Sequence, residues 1–236
     1  HPRNEFVAGF VGVSNVIERD GRRLTIRPEK IVLLEPGTAA EGLTSERGRV
    51  AEVAYAGMIT RYTVALEGGG IYYTSALGLP ALRAAIARHY GEHYGVAVAP
   101  ERIVVTAGSS AALLLTVALL VDRDEQILMS DPGYPCNRHF IRTLEGEPVG
   151  VAVGPESNYQ LDSAVIAKAW TPRTRGALIA TPSNPTGTTV APAEMQRIAA
   201  TVAARDGALI VDEIYLGLSY AGKPQTALAL IDDIFV

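Results

Sequence analysis

Apolar residues fall into two different rhythms along the chain. From Ile71 onward, runs at helical spacing alternate with short runs that are apolar throughout. Leu82, Ile86 and Tyr90 stand four apart in LPALRAAIARHYGEHYG, which predicts a helix; GSSAALLLTVALLV, AEMQRIAATVAAR and the segment IAKAW predict three more. Between them RIVVTA, QILMSD, GALIATP and ALIVDE read as strands. Strands apolar on both faces and separated by helices predict a mostly parallel sheet with helices on both faces, an α/β fold.

Residues 1–70 have another rhythm. FVGVSNVIE, LTIRP, KIVLLEPG, RVAEVAYAG and RYTVALEGGG are short strand-like runs separated by turns. Tyr62, Val64 and Leu66 alternate with Thr63 and Ala65, as a half-buried strand requires. GRVAEVAY suits a helix or a strand. A small all-β segment is expected here, ahead of the α/β part at 71–236. Glycines 68–70 stand at the seam, as a hairpin end or a flexible joint.

Composition narrows the classes. At 236 residues with 48% hydrophobic and 19% charged residues, the chain can bury a core. The first 70 residues carry nine basic and nine acidic residues, so the net charge of −4 belongs to the rest, and nucleic acid is not an expected partner. No apolar run approaches the ~20 residues that span a bilayer, so no membrane contact is expected. Cys136 is the only cysteine, which excludes an internal disulfide and fits a reducing cytoplasm. HPRNEF has no basic head and apolar core, so no signal peptide is expected; it also lacks an initiating Met.

In open parallel sheets, ligands bind beyond the carboxyl ends of the strands. After RIVVTA come Gly108, Ser109 and Ser110 at a helix start, where amides, hydroxyls and the helix dipole suit a phosphate, or where Gly-Ser-Ser is a plain N-cap. After QILMS, Tyr134 is held between prolines in DPGYP, as a flat platform for a ring or as a turn residue covering the core. After ALIA comes TPSNPTG. Pro185 biases Asn184 toward extended backbone, so its amide is aimed at a ligand or closes an Asx-turn. After ALIV come Asp212 and, three residues on, Tyr215; a carboxylate there needs a cation, or caps the next turn. A phosphate cradle, a platform, an amide, a carboxylate and a phenol on one sheet edge match the needs of pyridoxal 5′-phosphate.

YTSALGLPALR, TAGSSAAL, DPGYP, SNPTG and VDEIY occur in the order and near the spacing of the class I/II, fold-type I aminotransferases, and residues 71–236 resemble part of that family's large domain. The resemblance implies an amino-group transfer between an amino acid and a 2-oxo acid. It implies that Asp212 pairs with the pyridine nitrogen, that Asn184 and Tyr215 bond the ring oxygen, that Tyr134 stacks on the ring, and that Gly108, Ser109 and Ser110 hold the phosphate. It further implies a homodimer in which Tyr73 reaches the neighbouring subunit's cofactor. The family's cofactor-bearing lysine is expected beyond IDDIFV; Lys30, Lys168 and Lys223 are the lysines present and none stands in that setting. No catalytic lysine is therefore assigned, the substrate-clamping arginine is likewise expected beyond the last residue, and turnover by this chain alone is not expected.

FVGVSNVIE, IRPEKIVLLEPG and GRVAEVAYAGMITRYTVALEGG resemble a TOBE domain, the OB-like β-barrel that closes the ATP-binding subunit of polyamine-type ABC importers. No G-x-x-x-x-G-K-[ST] sequence accompanies it. The expected organisation is a TOBE-like segment at 1–70 fused to an aminotransferase fragment at 71–236. Two alternatives stay open: a transporter-associated module with an inert α/β half, and a non-catalytic dimer partner that lends Tyr73. His89 and His93 have the i, i+4 spacing of metal ligands, but HYGEH is not HExxH and no metal is expected. Cys136, beside the DPGYP turn, has only Arg138 as a basic neighbour, a poor setting for a reactive thiol.

Overall fold

The computed structural model describes residues 15–19, 22–26, 30–34, 37–38, 42, 44–56, 59–66, 71–73, 77–220 and 222–236. The seam glycines 68–70 lie outside the described residues. The chain forms two compact units, residues 1–88 with 98–107, and residues 89–97 with 108–236.

In the first unit, β1 (Asn15–Arg19) and β2 (Arg22–Ile26) pair antiparallel. A second antiparallel sheet runs β3 (Gly48–Ala56), β4 (Ile59–Leu66), β5 (Ile71–Tyr73). GRVAEVAY is thus a strand. Tyr62 and Val64 are buried while Thr63 and Ala65 are half-buried, the alternation expected of β4. Ile31–Leu34, expected within a strand, form none. Helix α1 (Pro80–His89) follows, with proline at its start where no N–H is needed.

RIVVTA does not form a strand either. Residues 103–106 are irregular, and the Ile103 carbonyl accepts from Arg83 Nε (2.9 Å) while the Val105 N–H donates to the Leu77 carbonyl (3.1 Å). Val104, an apolar residue that a strand buried on both faces would cover, is 44% exposed. Apolar content alone made this run look like a strand.

The second unit is the expected α/β layer. Its elements are α2 (Ser109–Leu120), β6 (Gln126–Asp131), α3 (Cys136–Thr143), β7 (Glu147–Ala152), α4 (Ser163–Ala169), β8 (Thr174–Ala180), α5 (Pro192–Ala203) and β9 (Ala208–Asp212). The strand order is β7-β6-β8-β9, parallel throughout. Neighbouring strand residues send side chains to opposite faces, and two cores follow. Ile127, Met129, Leu178 and Ile210 meet Leu113 and Val117 of α2 and Ile141 of α3 on one face. Leu128, Ala177, Ile179, Leu209 and Val211 meet Ile166 of α4 and Met195, Ile198 and Val202 of α5 on the other.

Local chemistry sets the helix starts. The Asp162 carboxylate accepts from the Val165 N–H (2.7 Å) and caps α4. Glu194, in the first turn of α5, accepts from the Ser163 N–H (2.7 Å), which ties the two helix starts together. At the amino edge of the sheet, buried Gln126 donates to Glu147 (2.9 Å) and accepts from Thr171 Oγ1 (2.7 Å).

Candidate functional site

The strand order creates a crevice. From β6 the chain goes to β7 on one side; from β8 it goes to β9 on the other. The loops after β6 and β8 therefore diverge from neighbouring strands, at a topological switch point where α/β sheets bind ligands. A small pocket of about 10 Å³ opens there, room for about one water, lined by Met129, Ser130, Gly133, Tyr134 and Asn137 after and within β6, and by Leu178, Ala180, Ser183 and Asn184 along β8 and its loop.

Tyr134 is the hub of the β6 side. It is half-buried, and its phenol interacts with the Cys136 thiol, the Ser110 hydroxyl and the Tyr215 phenol. The Cys136 contact above all raises the Tyr134 phenol above its ordinary value, while Ser110 pulls the other way. Three of the strand-end groups, Ser110, Tyr134 and Tyr215, are thereby brought together.

At the start of α2 the N-cap is Gly108, without a side-chain cap bond. Its φ of +83° suits glycine where the chain turns into the helix. Ser109 is half-buried and Ser110 exposed. The plainer reading of Gly-Ser-Ser as an N-cap therefore holds for Gly108.

The loop carrying Asn184 closes on its own backbone. The Gly187 N–H donates to the Ser183 carbonyl (2.7 Å), with φ +69° at Gly187, and the Ser183 N–H donates to the Thr188 carbonyl (2.9 Å). The Asn184–Pro185 peptide is cis. Half-buried Asn184 faces the same pocket as Tyr134.

Asp212 ends β9 opposite Ala180, and its carbonyl accepts from the Thr181 N–H (3.0 Å). Oδ1 accepts from the Ile214 N–H (3.1 Å), so the carboxylate does cap its own turn. Burial raises its pKa above the carboxylate norm, and the Ile214 bond offsets part of that. Glu213 is also raised, chiefly by burial; Oε1 accepts from the Ala227 N–H (2.6 Å), and Oε2 is buried without a partner among the described residues. Tyr90 is raised by burial first and by Glu213 second.

Tyr73 contributes its backbone to β5, opposite Thr63; its side chain lies outside what is described. Lys30, Lys168 and Lys223 are all exposed. The His89 and His93 rings stack 4.1 Å apart, and the described residues contain no group of three or more metal-ligand side chains. No helix among them is long and apolar enough to cross a membrane.

Three polar residues escaped the sequence reading. Asn137 is 5% exposed, lines the pocket, and leaves Oδ1 without a partner among the described residues. Its signal was a polar residue on the inward face of a helix, but α3 itself was not foreseen. Gln160 and Glu213 had no signal beyond their neighbours.

An open parallel sheet with an aromatic, an amide and a carboxylate after the carboxyl ends of its strands defines an α/β protein of the layered class. Residues 47–234 match the family described as aminotransferase class I and II, and the chain belongs to that family. The match begins inside the stretch that resembles a TOBE domain. A valine–pyruvate aminotransferase of Mycobacterium tuberculosis is 41% identical over 165 residues, 70% of this chain and 42% of that protein. Among solved structures, an aminotransferase from Mycobacterium tuberculosis superimposes with TM-score 0.64 at 39% identity, over 69% of this chain and 44% of that one. An alanine aminotransferase from Pyrococcus furiosus gives TM-score 0.64 at 31% identity, over 69% and 42%. The chain thus spans about four tenths of the length of these relatives.

Proposed function

We propose that the 108–236 part binds pyridoxal 5′-phosphate over the carboxyl edge of the sheet, around the switch-point pocket, and that the whole protein is an aminotransferase acting on an amino acid and a 2-oxo acid. The observation that carries this is the meeting of the β6 and β8 loops, Tyr134 and Asn184, on one pocket, with Asp212 opposite a residue of its lining, Ala180. The donor set fits the cofactor. Asp212 is a half-buried carboxylate whose charge burial disfavours, as the partner of a cationic ring nitrogen would be before the ring arrives.

When bound, the cofactor supplies an electron sink for bonds at the amino acid's α-carbon. The chain's own residues would hold and tune it. Asp212, whose carboxylate burial now disfavours, would regain its charge against a cationic ring nitrogen and keep a proton there. Asn184 and Tyr215 would donate to the ring oxygen. Tyr134 would stack on the ring, and its interaction with Ser110 links that platform to the helix start. Gly108, Ser109 and Ser110 would bind the phosphate through amides and hydroxyls. Tyr73 would serve the neighbouring subunit of a homodimer. The name of the Mycobacterium tuberculosis relative makes valine and pyruvate the first substrates to try.

Titration with pyridoxal 5′-phosphate tests this. Saturable binding, weakened by Asp212→Ala and by Asn184→Ala, supports it. Equal affinity in the wild type and both variants overturns it.

We infer further that residues 1–70 are a TOBE-like module, a reading supported by the antiparallel β1–β2 and β3–β4 pairs. The pairing of β4 with β5 runs past residue 70. A chain starting at residue 71 that folds and titrates the cofactor supports the boundary; one that does not fold moves β3 and β4 into the aminotransferase part.

A further inference from the structure

Gln160 is 6% exposed, and its side-chain nitrogen makes three contacts: with the Ala180 carbonyl (3.1 Å), the Thr188 carbonyl (2.9 Å) and Thr188 Oγ1 (3.3 Å). Ala180 is the last residue of β8; Thr188 is where the Asn184 loop returns. One amide group therefore spans the two ends of the loop. Two of its partners are carbonyls, which only accept, so the side chain must present nitrogen here and not oxygen.

A second observation points the same way. Asn158 and Tyr159, just before Gln160, both lie in the left-handed region (φ +54° and +53°), a conformation that costs a tyrosine energy. This turn carries the chain inward to Gln160, and Asn158 Nδ2 reaches the adjacent Thr189 carbonyl (3.3 Å). Two consecutive loop carbonyls, 188 and 189, are thus gripped by side chains of one distorted turn. The Thr188 carbonyl already takes the Ser183 N–H, so the grip is transmitted to the residue before Asn184.

We propose that Gln160 is a positioning residue: a strut that fixes the 181–188 loop so that the Asn184 amide is aimed before any ligand arrives. This rests on the reading of Asn184 as the donor to the cofactor's ring oxygen. A pre-aimed donor saves the ordering cost at binding, and the benefit passes entirely through Asn184.

The test uses the full 236-residue chain and pyridoxamine 5′-phosphate as the probe, whose fluorescence and ring-oxygen ionisation report directly on that contact. Gln160→Leu keeps the shape and removes the donors; Gln160→Glu keeps the shape and, ionised, turns acceptors toward carbonyls. Each is expected to weaken probe binding about tenfold in the wild-type background and less than about twofold in the Asn184→Ala background, because coupled residues are not additive. In the Asp212→Ala background the loss stays near tenfold. The ring-oxygen ionisation of bound probe moves in the Gln160 variants in the direction that Asn184→Ala moves it. Without ligand, hydrogen exchange at the Ser183 and Gly187 amides is faster in both variants. Equal losses in the wild-type and Asn184→Ala backgrounds, or unchanged exchange at these amides, overturn the positioning role while leaving the cofactor reading intact. Absence of probe binding by the wild type overturns the cofactor reading, and with it the role assigned to Gln160.

Discussion

Thr181 donates its N–H to the Asp212 carbonyl at 3.0 Å, so the loop that carries Asn184 and the turn that follows β9 leave the sheet from one point. The backbone ladder, not the side chains, brings the start of the Asn184 loop beside the strand end that carries Asp212. Parallel register does this without any direct bond between the two side chains.

The carboxylate at that point gives a pH signature. Burial raises the Asp212 pKa in the folded chain, so the folded state holds its proton to higher pH than the unfolded state does. The stability this contributes is full below the unfolded value and is lost as pH rises through the raised folded value. Asp212→Asn keeps the acceptor for the Ile214 N–H and cannot ionise. Its urea midpoint should match wild type at the acid end and exceed it above the folded Asp212 pKa. Cofactor affinity should move the opposite way, falling roughly 10- to 100-fold for loss of a hydrogen bond to a charged group. A midpoint difference that does not change with pH would contradict the assignment.

Tyr134 separates ring from hydroxyl. Tyr134→Phe keeps the platform and loses the hydroxyl that interacts with Cys136 and Ser110; Tyr134→Ala loses both platform and hydroxyl. The alanine variant should lose about 0.5–1.5 kcal/mol of cofactor binding from stacking alone, and the phenylalanine variant less. Fluorescence titration of the two variants side by side checks the order.

Much of this site was legible because its residues follow strands that are apolar on both faces. QILMSD, GALIATP and ALIVDE became β6, β8 and β9, and the rule about carboxyl ends then pointed at Tyr134, Asn184, Asp212 and Tyr215. What stayed hidden lies where the pattern weakens. β7 is an edge strand carrying Pro148 and Gly150 and a half-exposed face, so EPVGVA gives no continuous apolar run. α3 is only eight residues long, mostly polar, and starts directly after the DPGYP turn. RIVVTA had the apolar run without the sheet. Gln160 and Asn137 act through what they touch across the fold, which spacing along the chain does not encode.

Asn137 offers a test of the pocket wall. An unpartnered buried acceptor costs roughly 1–3 kcal/mol, and leucine has nearly the same size without the polar atoms. Asn137→Leu should therefore stabilise the ligand-free chain by about 1 kcal/mol in urea unfolding and weaken cofactor binding. An unchanged or lower midpoint would mean that Oδ1 already has a partner in solution.

The two faces of the sheet should respond differently to cavities. Ile141 of α3 and Ile198 of α5 are both fully buried, one in each core. Truncating either to alanine should cost about 2–5 kcal/mol, the spread set by how far each site collapses. The two clusters share no residues, so the double variant should lose the sum of the single losses to within about 0.5 kcal/mol. Binding should part them. Ile141 lies one helical turn beyond Asn137 on the helix that forms the pocket wall, so Ile141→Ala lets that wall shift and lowers cofactor affinity. Ile198 packs against the opposite face, and Ile198→Ala should leave the affinity of the remaining folded protein within about twofold of wild type, because distant independent sites add. Urea midpoints and cofactor titrations on the two variants and their combination measure both halves of this expectation.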